Sequence, residues 1–536
     1  MSREKLLVVL LGMLLVVAGC VASGPPPVNH ESPEEVGQQI YRQGLQGDGQ
    51  PVQALVMGDI PVSGDQFTCL HCHRYSGLGG AEGSKYVMPT SGPALYNPRV
   101  NIYHERPAYT DETLAELLRY GIDPGGNLLD PVMPLYELSE SDMQALIAYL
   151  KTLSRDVSPG VSDTQLHIAT VVGPAVDPSE RRAMLAVLER FIQDSNGQSR
   201  RQEILAERGP FYHEYKNKAY REWVLHVWEL SGPSQSWPQQ LAEYYRNQPV
   251  FAMLSGTVKG PWQPIHDFCQ QYQVPAILPN TDLPAPQAEQ DFYTLYFSGG
   301  LSLEAGAMLA DFVEGGGTGR VVQVFRDGEI GAFAADSLKQ AAGDYPEISL
   351  ETHRLLPGES WEPMLVSAGT VGALVVWGGE DVLHELADVK GNLAEVPIYL
   401  SATMLGQELG SIPVSWQSCA RVASPFNLPE DQEMRARRTT AWIKGRKISL
   451  DSPRIQTQTW YASKVFHSGI KHIKRHFYRD YLLDALDHSS RLGPYASNYP
   501  RLSFGPKQRF LAKGAYLIDV GATLEEGTSS AEWLVP

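Results

Sequence analysis

The chain has 536 residues, 43% of them apolar and 20% charged, an ordinary globular balance that excludes a disordered chain and a multi-span membrane protein. That length exceeds what one hydrophobic core usually serves, so two or three folded units are expected. The formal net charge of -17 argues against nucleic acid as a partner, and its default meaning is a solvated acidic surface.

At the N-terminus Arg3 and Lys5 precede an apolar run, residues 6–18, too short for a bilayer span of about 20 residues and laid out as an export signal. The run ends in Val17-Ala18-Gly19-Cys20, which resembles a bacterial lipoprotein lipobox. The resemblance implies that residues 1–19 are a removable signal peptide and that Cys20 is acylated and anchors the chain to a membrane on the periplasmic side. Val21 in place of Asp after the Cys leans toward the outer membrane. The alternative is a plain signal with an incidental Cys. Residues 20–33, rich in Pro, Ser and Gly, read as the tether between lipid and first domain.

From residue 34 the pattern is helical: Val36, Ile40 and Tyr41 can share a face, and residues 111–120 and 139–153 suggest two further helices with Thr110 and Ser139 as N-caps. No strand pattern stands out before about residue 165, so an all-α domain is expected over 34–155. Inside it lies Cys69-Leu70-His71-Cys72-His73, the spacing at which two thiols add to the haem vinyl groups and the adjacent His meets the iron. A redox CXXC or half of a zinc site is the alternative, and neither a βα context nor a second Cys pair supports it. For the sixth ligand the best candidate is Met133, in Asp130-Pro131-Val132-Met133-Pro134-Leu135, with Met88, His104, His71 and Met143 as rivals.

The Met-Pro loop, the acidic turn at 138–142 and the apolar helix at 145–150 make residues 34–155 resemble the class I cytochrome c family. The resemblance implies one covalent haem c held by Cys69 and Cys72, His73 and Met133 as axial ligands, and electron exchange with a redox partner protein. A thioether opposite imidazole favours ferrous iron and raises the potential.

After a linker at 156–162 the pattern changes. Strands are expected at 166–172, 223–228, 250–254, 276–278, 292–297, 321–325, 373–377 and 397–400, with helices at 179–193, 238–245, 264–272, 303–313, 332–341 and 381–386. Such alternation implies parallel sheets covered on both faces, and this many strands suit two successive doubly wound lobes. One long helix is expected where Phe466, Ile470, Ile473, Phe477 and Tyr481 recur at helical spacing. Cys269 and Cys419 remain as a possible disulfide pair or as two buried thiols.

The run at 166–174 with the following helix, the stretches 251–257 and 274–282, and the closing segments 499–506 and 513–516 make residues 163–536 resemble type I periplasmic binding proteins of the leucine/isoleucine/valine-binding kind. The resemblance implies a two-lobed α/β domain that closes on a small molecule. Ser255, Gly256, Thr257, Asn280 and Thr281 fall at strand-to-helix turns, where amides and hydroxyls suit a carboxylate or other anion. Glu380 is the candidate for holding an ammonium, and Trp262 and Trp377 are candidate walls or core. Ser298 stands where the family carries Arg, and the stretch 195–222 is an atypical insert.

His472 and His476, and the basic set Arg435, Arg437, Arg438, Lys444, Arg446 and Lys447, read as solvated helix residues. Three functional classes fit. They are an electron-transfer lipoprotein with a ligand-sensing or docking domain, a solute-binding component of a transport or sensory system with an accessory haem, and the cytochrome partner of a periplasmic dehydrogenase. No nucleophile or general-base cluster stands out, so catalysis by the chain itself is not expected.

Overall fold

The computed structural model describes residues 32–536 apart from 83–84, 101–104, 208–220, 289, 360–370, 388–395, 407–408 and 490–496. The expected signal, Cys20 and all of the tether before residue 32 lie outside the described residues, as does His104. No helix among those described is long and apolar enough to cross a membrane. The chain divides into two compact units, Met1–Arg155 and Asp156–Pro536.

In the first unit, helix Pro33–Gln43 begins with a capping box in which Ser32 accepts from the Glu35 amide and Glu35 accepts from the Ser32 amide. It packs on helix Glu140–Thr152, and Gly37 makes the close approach possible, because a Cβ there would lie 2.1 Å from the Ala145 carbonyl oxygen. Thr110 and Ser139 cap their helices, accepting from the amides of Thr113 and Asp142. Tyr41, Leu114, Met143 and Leu146 are buried between the helices, and Cys69 and Met133 pack against the same core from its edge.

All-α does not describe this unit. Strands Gln53–Val56, Ile60–Ser63 and Leu135–Glu137 form an antiparallel sheet with Gln53–Val56 in the middle, and Gly80–Glu82 pairs with Lys85–Val87 as a ribbon. The physical reason is length: strands of three or four residues show too few alternations to be read locally, and Gln53 pairs with Glu137 far along the chain.

In the second unit all eight expected strands form, in two sheets. The six-stranded sheet runs Phe510–Ala512, Thr294–Ser298, Ala276–Ile277, Ala252–Leu254, Gln165–Val172, Glu222–Glu229, all parallel. The seven-stranded sheet runs Ile348–Leu355, Gly319–Arg326, Ala373–Trp377, Ile398–Ser401, Ala420–Ser424, Ala515–Asp519, Ala531–Leu534, with the last two joined antiparallel. Ala373–Trp377 is buried on both faces, as a covered parallel strand requires. Ile348–Leu355 escaped sequence reading because it is an edge strand of mixed burial.

Two elements differ from expectation. Helix Pro178–Glu207 continues into the stretch read as an insert. The long C-terminal helix is two, Pro453–Ile473 and Arg479–Asp487, with Lys474 at φ 53° between them.

Just after the break comes Arg479, which is 6% exposed. Its guanidinium donates to the carbonyls of Phe251 (3.1 Å), Tyr272 (3.1 Å), Gln273 (3.2 Å), Val250 (2.6 Å) and Pro159 (3.3 Å) and to the Tyr245 hydroxyl (2.9 Å). A buried polar group left unpaired costs about 1–3 kcal/mol, and Arg479→Ala would orphan several carbonyls together. We expect that variant to lose about 3 kcal/mol or more from the second unit. Urea unfolding followed by tryptophan fluorescence checks this, because the first tryptophan in the chain is Trp223 and the signal reports the second unit alone.

Candidate functional sites

Cys69–His73 forms one helical turn that begins after Thr68. Leu70 points into the core, Cys69 is half-buried, and His71 and Cys72 are exposed. The Cys69 sulfur lies 3.9 Å from the Tyr136 hydroxyl, which itself donates to the Phe67 carbonyl. Burial pushes the Cys69 thiol up to about 11. Disulfide-exchange CXXC motifs work through a lowered thiol pKa, so this environment speaks against that alternative. Among the described residues no group of three or more His, Cys, Asp or Glu is arranged to hold a metal ion.

His73 Nδ1 lies 2.9 Å from the Met88 carbonyl oxygen. A carbonyl only accepts, so Nδ1 carries the hydrogen and Nε2 keeps its lone pair. Burial, only partly offset by that hydrogen bond, lowers the imidazole to about 4, which leaves it neutral at pH 7. The same bond places the Met88 backbone behind the ring, on the side away from Nε2. Met88 Sδ is engaged by Arg99 at 2.7 Å.

Met133 ends a turn in which its amide donates to the Asp130 carbonyl (2.9 Å) and the Val132 amide to Asp130 Oδ1 (3.2 Å). Met143 is fully buried in the helical core. The first unit holds more than half of the large apolar side chains exposed among the described residues, including Met57, Phe67, Met88, Leu128 and Val132, in under a third of the chain. Paired thiols on one turn, a neutral imidazole with a free Nε2, a half-buried thioether and uncovered apolar surface fit a covalently attached porphyrin.

In the second unit Ser255, Gly256 and Thr257 follow one strand and Asn280 and Thr281 follow its parallel neighbour, so the structure brings all five together. Thr257 bridges to both Val172 and Asn280, and Ser255 adopts φ 56°. Asn280 Nδ2 donates to Ser255 Oγ (2.8 Å) and lies 3.3 Å from Thr459 Oγ1, while Ser255 Oγ is 3.1 Å from Thr459. Asn280 Oδ1 is buried with no partner among the described residues, an acceptor open to a donor from water or a bound molecule. Thr459 was invisible to sequence reading because it arrives from a helix 179 residues further on.

Glu380 opens helix Glu380–Ala387, beyond strand Ala373–Trp377 of the other sheet. Trp262 and Trp377 are fully buried core, Trp377 donating to Gln323 Oε1 at 3.0 Å. Cys269 and Cys419 do not pair. The Cys269 thiol lies beside Met253 Sδ at 3.8 Å and the Cys419 thiol donates to the Trp416 carbonyl at 3.3 Å. His472 lies on helix Pro453–Ile473 and His476 beyond its end, so their helical spacing is lost.

Glu304 is another group that sequence reading missed. It is fully buried, and Ser401 Oγ, Thr403 Oγ1 (2.7 Å) and the Thr403 amide (3.2 Å) all donate to it. Burial outweighs those bonds and pushes its carboxyl up to about 8.

Residues 65–154 match the cytochrome c family model, so this segment is a cytochrome c domain, a family that implies covalently bound haem c. No curated protein matches the sequence. Among solved structures, a branched chain amino acid ABC transporter protein from Thermus thermophilus with bound valine is 12% identical, covering 70% of this chain and 98% of its own, with a TM-score of 0.49. A fatty acid ABC transporter substrate-binding protein from Thermomonospora curvata is 14% identical over 71% of this chain and 95% of its own, with a TM-score of 0.43. A branched-chain amino acid transporter substrate binding protein from Streptococcus pneumoniae in complex with isoleucine is 12% identical over 70% and 100%, with a TM-score of 0.45. The chain is therefore multidomain, a cytochrome c domain joined to a larger α/β unit.

Two outcomes are expected. Denatured, matured protein should titrate with two free thiols from Cys269 and Cys419, where a disulfide would give none. Between pH about 4.5 and 8 the folded chain keeps a proton on Glu304 that the unfolded chain has released, so stability falls as pH rises through that window. Tryptophan-detected melting across it should show a shallower slope for Glu304→Gln.

Proposed function

We propose that this chain is a periplasmic electron-transfer protein, anchored by lipid at Cys20, that carries one haem c and joins it to a two-lobed ligand-binding domain. The observation that carries the redox reading is the His73–Met88 hydrogen bond on a Cys69–Cys72 turn, which leaves Nε2 free for iron. Cys69 and Cys72 hold the porphyrin as thioethers, and His73 supplies one axial nitrogen. Met133 is the opposite ligand, because Met88 lies behind the imidazole and Met143 is enclosed by the helices. Haem c bound there supplies one-electron chemistry. Held by these side chains, it would exchange electrons with a redox partner protein rather than bind substrate.

The second unit is read as a clamshell. Ser255, Gly256, Thr257, Asn280 and Thr281 form one wall, at the C-terminal ends of parallel strands, where α/β sheets bind small molecules. Their amides and hydroxyls suit an anionic ligand such as a carboxylate, and Glu380, at the start of a helix, is the residue we read as partner of a ligand ammonium. The free acceptor at Asn280 Oδ1 favours a ligand that also donates a hydrogen bond.

Mass analysis of full-length protein matured in a haem-c-competent host should show one haem and no free thiol at Cys69 or Cys72; two free thiols there and no added mass would end the redox reading. With haem attached, ferrous wild-type protein should bind carbon monoxide weakly, whereas Met133→Ala should bind it promptly and show a lower reduction potential. Anionic metabolites at about 100 times Kd should raise the second unit's stability by about 2.7 kcal/mol, read as a shift in tryptophan-detected melting.

A further inference from the structure

The ribbon Gly80–Glu82/Lys85–Val87 lies in sequence between the Cys69–His73 turn and Met88, and it touches both sides of the haem site. At its C-terminal end the Met88 carbonyl accepts from His73 Nδ1 at 2.9 Å. At the start of the same strand, Lys85 Nζ reaches Asp130 Oδ2 at 2.5 Å. Asp130 in turn shapes the turn that presents Met133, through its carbonyl to the Met133 amide and its other carboxylate oxygen to the Val132 amide. The turn has one further backbone anchor, the Met57 amide donating to the Pro131 carbonyl at 2.8 Å. A strand of three residues thus links the backbone that orients His73 to the side chain that braces the Met133 turn.

We propose that Lys85 is a positioning residue that holds Met133 toward the iron through Asp130, so that the ribbon acts as a strap across the two axial sides. This rests on the haem reading above and on Met133 as the sixth ligand. Both partners are largely exposed, with side chains 62% and 46% accessible, so the pair adjusts the turn rather than fixing it outright. Its loss should raise the population with Met133 away from the iron by about two- to fivefold, the span that an exposed ion pair controls.

The test uses full-length, haem-loaded protein and titrates ferric iron with imidazole, which competes with Met133. Lys85→Ala and Asp130→Asn should each bind imidazole about two- to fivefold more tightly than wild type. Lys85→Arg, which keeps a cation opposite an unchanged Asp130, should stay close to wild type, and the gap between the two variants and wild type should shrink at 1 M salt, where the screening length is about 3 Å. Met133→Ala should bind far more tightly than any of them. The proposal is overturned if Lys85→Ala and Asp130→Asn both match wild type, or if Lys85→Arg binds imidazole as tightly as Lys85→Ala. Haem-loaded Met133→Ala that matches wild type removes the axial assignment and the strap with it. Protein without attached haem ends the underlying reading, and haem content measured beforehand separates that result from the others.

Discussion

A hydrogen bond to a backbone carbonyl fixes the tautomer of His73 in the first unit. Because the Met88 carbonyl can only accept, the His73 ring must carry its proton on Nδ1, and the remaining nitrogen must face the other way. Everything that the CXXCH turn can do follows from that orientation. For the proposed haem it leaves Nε2 as the nitrogen that would meet the iron, and burial that keeps the imidazole neutral suits a ligand rather than a proton carrier.

The larger unit depends on a different economy of buried polar groups. Arg479 gathers carbonyls from three separate segments at the base of the six-stranded sheet. Asn280, Ser255 and Thr459 form a second network at its C-terminal edge. Glu304 forms a third, against the turn after strand Ile398–Ser401. Each draws together residues from distant parts of the chain, and each ties the position of a loop to a helix far away in sequence. Ser255 and Asn280 are thereby held by Thr459, leaving Asn280 Oδ1 as an acceptor with no partner among the described residues.

The two halves differ in how openly the sequence displays them. Parallel strands buried on both faces are continuous apolar runs, and all eight expected in the second unit are present. The helices at 111–120 and 139–153 carry their own caps, which are local signals. The short antiparallel strands of the first unit have no such signature, since their pairing joins Gln53 to Ser63 and Glu137. The break before Arg479 was hidden for the opposite reason. The apolar spacing from Phe466 to Tyr481 continues through it, while the Arg479 guanidinium just beyond the break binds carbonyls far away in the chain.

By itself the sequence determined what rests on covalent spacing and local period: the Cys69-Cys72-His73 turn, the candidate thioether at Met133, the order of strands and helices, and the point near residue 155 where one pattern gives way to another. Tertiary structure alone decided what rests on residues far apart in the chain meeting. It put Met88 behind His73 and not opposite it, joined Lys85 to Asp130, brought Thr459 to Asn280, and kept Cys269 and Cys419 as separate thiols. The reason is that spacing along a chain reports only neighbours within a turn or a strand, whereas a hydrogen bond or ion pair is set by distance in space.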